Sequence, residues 1–505
     1  MTGNNADFKN NGNLSIDVSP KYFASGSMQC RCTESDFKCL VEWANLLLIE
    51  SDLMSNLALR CTVAIAIMAA CAIGHADSYT GSQSTTYAYP KLITDFTPQA
   101  HETRDPVSGL LHPGLGLTKT QLDTMQRHVR KGDEPWASAF DAFAKNGRSA
   151  PNPRVYYQAG WTEILHGRAN ETGNFITVRM AMDADVAFHQ IVMWYVTGKE
   201  LYRVNALNVI RNYFSITKVE PHWDSQIRWG IAAYKLCLVE DLLRHTDGNT
   251  EASRWTESDQ SRFANLMKMG LGLVADPGYW MNQHQFATMG LIGTAVALDD
   301  KLLYQKAIER TTVNSAGQQG GRNGSIKWQM RLVTKDAETG QQVDTPQVQV
   351  VEMARDQGHA WIDPTALSLL AQVAFNQRTR VDPVSGFPSN DRNAVEVFDF
   401  LDNRLLAGAD YITRYSFGEA VRWIPVVMSE GTPPQIGTVI VGPPRQMTEG
   451  ILYNYYRYIR KWDREDRRFR AVAHAYESIF PEGDGGTDMQ GNATLFYTPD
   501  AGLIQ

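Results

Sequence analysis

Two short stretches carry residue types suited to work on a carboxylated substrate. In Tyr279-Trp280-Met281-Asn282-Gln283-His284 an aromatic pair runs into an amide and an imidazole where an apolar helical pattern begins. A helix N-terminus presents free N–H groups and a partial positive charge, so Asn282 and His284 are candidates to serve a substrate carboxylate there. The plainer alternative makes Asn282 an N-cap and His284 a surface residue of the first turn. In Glu352-Met-Ala-Arg355-Asp356-Gln357-Gly358-His359 the guanidinium of Arg355 offers a planar fork for a carboxylate. His359 is the side chain of that stretch whose ordinary pKa suits acid–base work near neutrality. The alternative there is an ion-paired network of Glu352, Arg355 and Asp356 that only fixes a loop.

A third stretch, Tyr453-Asn-Tyr455-Tyr456-Arg-Tyr458, is aromatic at a density that one helix face cannot hide. Stacking on sugar rings is one use for such side chains, and packing between helices is the commoner one. Trp280, Gln357, Tyr455 and Tyr456 are the candidate substrate-binding residues. The chain holds no G-x-S-x-G elbow, Walker loop, Rossmann glycine fingerprint or H-E-x-x-H helix. Asp183-x-Asp185 and Asp299-Asp300 read as caps or turn residues, and no metal or cofactor is implied.

The elements that must position these residues are helices. From about residue 118 onward apolar residues recur at helical spacing in segments separated by short Gly, Asp, Asn and Pro punctuation. Helices are predicted over 184–195, 200–214, 229–245, 282–298 and 301–310, with another starting at a capping box, Thr256-x-x-Asp259. The polar stretch 311–351 reads as a long functional loop with one extended segment at Gln347–Val351. Helices resume near Asp363-Pro364, where proline suits a first turn, and continue over 392–415 and 449–460. The proline-rich stretch 416–445 reads as a covering loop or short strands. Helix pairs of similar length without a fixed repeat point to an all-α fold, an (α/α) toroid of antiparallel hairpins, rather than a solenoid.

Composition fits that picture. Of 505 residues 43% are hydrophobic and 20% charged, so a large core is available, and a formal net charge of −7 argues against a general nucleic-acid binder. Met54 opens a stretch in which one Arg precedes the apolar run Cys61–Ile73 and small residues lead to Ala76, the pattern of a secretory signal peptide. The run is shorter than the roughly 20 residues of a membrane span. Residues 1–53 then read as an untranslated or disordered extension, 54–76 as the signal, 77–110 as a linker, 111–480 as the toroid and 481–505 as a tail. Of the six cysteines only Cys237 lies beyond the cleavage point, so no internal disulfide is possible there, and Cys30, Cys32 and Cys39 make a weak zinc signal. Asn170, Asn323 and Asn492 stand in glycan acceptor tracts. The expected product is a secreted or periplasmic monomer, free of the membrane after cleavage.

Several motifs carry a resemblance. Asn323-Gly-Ser-Ile, the run Glu352-x-x-Arg-Asp-Gln-Gly-His359, Asp402-Asn-Arg-Leu-Leu-x-Gly-x-x-Tyr411 and Tyr453-Asn-x-Tyr456 resemble the alginate lyase domain of secreted polysaccharide lyases over roughly residues 110–460. The resemblance implies an (α/α) toroid and β-elimination on an anionic, uronic-acid polysaccharide, alginate first and glucuronan second. It also implies that Asn282 and His284 serve the substrate carboxylate and proton transfer, with Arg355 neutralising charge and His359 as second base or orienting group. Relatives commonly use a tyrosine between those two motifs, whereas from Gln285 to Val351 this chain has only Tyr304. Tyr455, Tyr456 or His359 is left to take that role. The alternatives are a glycoside hydrolase using Asp224 and Asp356, and a carbohydrate-binding protein without catalysis.

Overall fold

The computed structural model of the chain describes residues 86–165, 172–220, 225–318, 320–428, 431–437, 449–483 and 489–503. The leader, the residues before it with their cysteines, Asn170 and Asp224 all lie outside the described residues. Fourteen α-helices are described: α1 (Lys119–Lys131), α2 (Trp136–Lys145), α3 (Thr172–Thr197), α4 (Glu200–Asn212), α5 (Ser225–Arg244), α6 (Glu257–Val274), α7 (Met281–Ala297), α8 (Lys301–Thr312), α9 (Ile326–Gln329), α10 (Gln357–Asn376), α11 (Phe400–Ser416), α12 (Glu449–Asn454), α13 (Arg470–Ile479) and α14 (Ala493–Tyr497). Four two-stranded sheets accompany them: β1 (Thr103–Arg104) with β2 (Leu111–His112), β3 (Glu163–Leu165) with β4 (Lys218–Glu220), β5 (Met330–Lys335) with β6 (Gln342–Val350), and β7 (Arg380–Val381) with β8 (Val395–Glu396).

Helix starts follow local chemistry. Thr118 and Gln121 form a reciprocal capping box on α1, and Thr256 and Asp259 form the expected one on α6. Packing then closes a ring: α1 touches α3, α3 touches α5, and the circuit continues through α7, α10, α12 and α14 back to α1. Outside it, α4 lies on α3 and α5, α6 on α5 and α7, α8 on α7 and α10, and α13 on α11 and α12. This is the all-α toroid. Trp136, Trp194 and Trp229 are wholly buried in its core. The tightest seam joins α5 to α7, where a Cβ on Gly230 would stand 2.1 Å from the Phe286 carbonyl oxygen, so only glycine fits.

Returning outer helices make α5, α7 and α10 run in one direction. Their first turns therefore meet at one end of the ring, as the bond from Gln226 Nε2 to Gln283 Oε1 (3.0 Å) shows. Their last turns meet at the other end, where Arg244 Nη2 bonds Asp299 Oδ2 at 3.0 Å. Over the first end lies the antiparallel β5–β6 hairpin, which replaces much of the loop expected at 311–351. Gln349 clamps the 416–437 segment onto it, donating to the Ile424 carbonyl (2.8 Å) and accepting from its N–H (3.2 Å). Met281, Val333, Val351, Ile424, Val426 and Met428 form a small apolar cluster beneath this cover.

Several boundaries differ from expectation. Asp356 caps α10 by accepting the His359 N–H at 2.9 Å, so the helix starts ahead of Pro364 and the proline stands inside it. The helix expected from 392 starts at Phe400, and Leu401, Asp402 and Asn403 carry positive φ of 52°, 57° and 59° before it turns right-handed. Residues expected as a tail supply α14, anchored where Glu482 accepts the Thr494 N–H at 2.5 Å. The expected linker also packs, burying Tyr89 and pairing β1 with β2. Asn323 and Asn492 are buried, which removes both as glycan acceptors in the folded chain.

Candidate functional site

The end where the first turns of α5, α7 and α10 meet carries the candidate residues. At the start of α7 Met281 holds a φ of 52°, a left-handed conformation that costs energy for a side chain of this kind and is characteristic of functional sites. Its N–H donates to the Arg322 carbonyl at 2.8 Å. Trp280 stands half-buried beside it, donating its indole N–H to Gln283 Oε1 (2.8 Å) with the Arg322 guanidinium 5.3 Å from its ring centre.

Asn282 is only 5% exposed and donates its amide to both oxygens of Glu352, at 3.0 and 3.2 Å. Arg355, with a side chain 36% exposed, approaches Glu352 Oε1 at 3.4 Å and Asp356 Oδ2 at 3.8 Å. Asp356 Oδ2 in turn lies 2.6 Å from His359 Nδ1. Burial pushes Asp356 up, but the His359 N–H, its ring and the Arg355 charge together hold the carboxyl below its usual value. A carboxylate on Nδ1 fixes the ring and its tautomer, leaving Nε2 of this half-buried imidazole as the working nitrogen.

Beneath these residues is a pair of buried acids. Glu352 is raised by burial, opposed by a hydrogen bond from Asp363, by the charges of Arg355 and His359, and by Asn282. Asp363 is pushed far above the carboxylate range by burial and then by the Glu352 charge. Burial thus pushes both carboxyls up, Asp363 the further, and Asn282 and Arg355 approach the pair at Glu352. Gln285 braces the far side, donating to Asp363 Oδ1 at 2.6 Å and to the Gly324 carbonyl at 3.1 Å.

The remaining expected residues divide. Gln357 opens α10, its amide buried at 3% exposure with no hydrogen-bond partner among the described residues. His284 is 1% exposed, packed on Gly324, with Nε2 3.4 Å from Thr288 Oγ1. Burial first, and the Arg310 charge second, push its imidazole down to about 3, so it is neutral. It is neither the surface residue of the plainer alternative nor open to a polymer. Tyr455 and Tyr456 lie elsewhere. Tyr455 packs on Phe375 and donates to Asp399 Oδ2 (2.7 Å), while the buried Tyr456 donates to the Phe398 carbonyl (2.8 Å). Phe375 and His359 are sixteen residues apart on α10, about 24 Å by the helical rise. Tyr455 instead borders a cleft of about 600 Å³ at the opposite end, with Gln121, Asn376, Arg378 and Asp500; no histidine lines it.

No family model matches this chain, and no curated protein does. Solved structures do. The chain is similar to alginate lyase A1-III. For that enzyme from Sphingomonas species A1 the identity is 12%, the match covers 78% of this chain and 99% of that one, and the TM-score is 0.44. A histidine-to-alanine variant of alginate lyase A1-III complexed with a tetrasaccharide matches at 13% identity over 72% of this chain and 98% of that one, with a TM-score of 0.37.

Sequence reasoning missed Asp363, Gln285, Gln283 and Arg322. The sequence shows Asp363 only as a marker of a helix start, yet it stands four residues after His359 on the same helix, where side chains share a face. Glu352 entered only as part of a loop-fixing network; that network exists, and it reaches Asn282.

Proposed function

We propose that this chain is a polysaccharide lyase that cleaves a uronic-acid polymer by β-elimination, with alginate the first substrate to test and glucuronan the second. The observation that carries this reading is the His359–Asp356 pair set beside Arg355 where three helix N-termini converge. The proton to be removed, at C5, lies α to a carboxylate, and it becomes acidic only if the charge developing on that group is neutralised. Arg355 presents its fork to the carboxylate, and the helix ends add partial positive charge. His359 Nε2 then takes the C5 proton while Asp356 stabilises the imidazolium on Nδ1, and the same ring returns the proton to the departing O4. His359 thus does the work that relatives give to a tyrosine.

Asn282 and Glu352 hold Arg355 in register, Trp280 offers a face for a sugar ring, and the neutral His284 forms the floor. Tyr455 and Tyr456 leave the substrate-binding set, because both hydroxyls are committed at the far end of α10. Asp356, committed to His359, is a poor acid or base for a hydrolase. Secretion belongs to the same proposal; no helix among the described residues is long and apolar enough to cross a membrane.

The test is incubation with polymannuronate, polyguluronate, glucuronan and hyaluronan while absorbance near roughly 235 nm follows the conjugated product expected of C5 proton abstraction. A rise on one polymer names the substrate. New reducing ends without that rise would replace the lyase by a hydrolase, and binding without either product would leave a carbohydrate-binding protein.

A further inference from the structure

At the end of the ring away from His359, a second cluster is built from β2, the last turn of α5 and the residue that follows it. His112 Nδ1 lies 2.8 Å from Asp241 Oδ1, and one ligand atom each from His112, Asp241 and His245 falls within 4.8 Å of the others. Asp241 stands in the last turn of α5, and His245 directly follows the helix end at Arg244. His112 and Asp241 are buried.

Each group has its outward side already anchored. His112 Nε2 lies 2.8 Å from Asp299 Oδ1, and Arg244 holds the other oxygen of that carboxylate. His245 Nδ1 lies 3.3 Å from Thr103 Oγ1. Asp241 Oδ2 accepts the Gly114 and Leu115 N–H groups at 2.7 and 2.8 Å. What remains directed inward is His112 Nδ1, Asp241 Oδ1 and His245 Nε2, and the last is buried without a hydrogen-bond partner. Metal-bound imidazoles almost always have the second nitrogen held by a carboxylate, carbonyl or hydroxyl in this way. The two rings stack, 4.7 Å between centres and 17° between planes, so one of them must turn for both nitrogens to face a single ion.

We propose that His112 Nδ1, Asp241 Oδ1 and His245 Nε2 form a site for one divalent transition-metal ion, zinc by its mixed nitrogen and oxygen donors. The ion would tie the segment from Thr103 to Leu115 to the C-terminal end of α5, far from the elimination site and with no part in its chemistry. Without the ion a proton on His112 bridges it to Asp241. Binding displaces that proton to solvent, so the step is an exchange of one proton for one dication. The site departs from the metal-free expectation drawn from the sequence.

The experiment uses the full chain, stripped with chelator, dialysed against zinc chloride and then against metal-free buffer, with bound metal measured by mass spectrometry. Parent protein is expected to retain about one more equivalent of zinc than His245→Ala or Asp241→Asn. Its Tm should rise on zinc addition, and the Tm of both variants should not. Cobalt substitution separates this site from Cys30, Cys32 and Cys39: visible bands without thiolate charge transfer are expected in the parent and not in His245→Ala. Should that variant fail to fold, His245→Gln keeps the bulk and serves in its place. Equal metal content in parent and variants, or no retained metal, would overturn the site and leave an imidazolium-centred ion-pair network. None of these readouts depends on lyase turnover.

Discussion

The two ends of the helical ring use the same residue types in opposite ways. At the end formed by the first turns of α5, α7 and α10, Arg355 and His359 keep part of their surface open, Arg355 near Glu352 and Asp356 and His359 steadied by Asp356. At the other end His112 and Asp241 are closed in, and every outward atom of the cluster is anchored. Helix polarity accounts for part of the contrast, since N-termini attract the anionic substrate that the open end would receive. Burial accounts for the rest: a group that must exchange protons with a polymer needs an open face, and a group that holds structure needs none.

That contrast can be broken experimentally. The largest effect is expected at His359: His359→Ala should cut kcat/KM by about 10²–10⁴-fold with an unchanged Tm. A fall in Tm with turnover intact would move His359 to the structural side of the comparison. Arg355→Ala should cost about 10²–10³-fold, mostly in kcat, and Arg355→Lys should recover only part because the planar fork is lost. Steady-state kinetics on the polymer identified by the absorbance assay would check both.

Beneath them the buried acid pair sharpens the distinction. Glu352→Gln removes the carboxylate that Asn282 and Arg355 both contact, and should lower turnover roughly 10- to 100-fold by letting Arg355 drift. Asp363→Asn keeps a neutral donor in the same place and should stay within about twofold of the parent. If Asp363→Asn were the worse of the two, the proton would sit on Glu352. The smallest effect concerns His284. Its folded pKa, about 3, lies below its ordinary value of 6.5, so its contribution to stability is complete above that ordinary value and is lost as pH falls toward 3. Denaturant unfolding of His284→Gln should show a shallower loss of stability across that window, and identical pH profiles would show that the ring is not buried neutral.

Much of the fold was legible in the chain. The capping box at Thr256 and the 3.6-residue apolar period place the start of α6 and both limits of α4, α7 and α8 within two residues of those observed, because caps and amphipathic periods act over a few residues. The elements read least well were those whose form depends on a distant partner. Within 311–351, β5 and β6 pair as a hairpin, and Val333 and Val351 from that stretch pack with Met281 of the ring end and with Ile424, Val426 and Met428.

For the candidate site, residue types and local spacing put Arg355 and His359 together ahead of a helix, and the structure adds that the helix already starts there, since Asp356 both caps α10 and holds the imidazole. Only the tertiary structure decided the rest. His284 and His359 look equivalent as letters, but burial depends on what packs around a helix, and Gly324 with α7 seals one ring while the start of α10 leaves the other open. In the same way the closure of the ring placed Tyr455 beside Phe375, at the end of α10 away from His359, and brought His112 to Asp241 across 129 residues of sequence. Local sequence sets helix limits because the interactions involved span a turn, whereas the pairing of distant groups and the exclusion of water from them follow from how the helices pack.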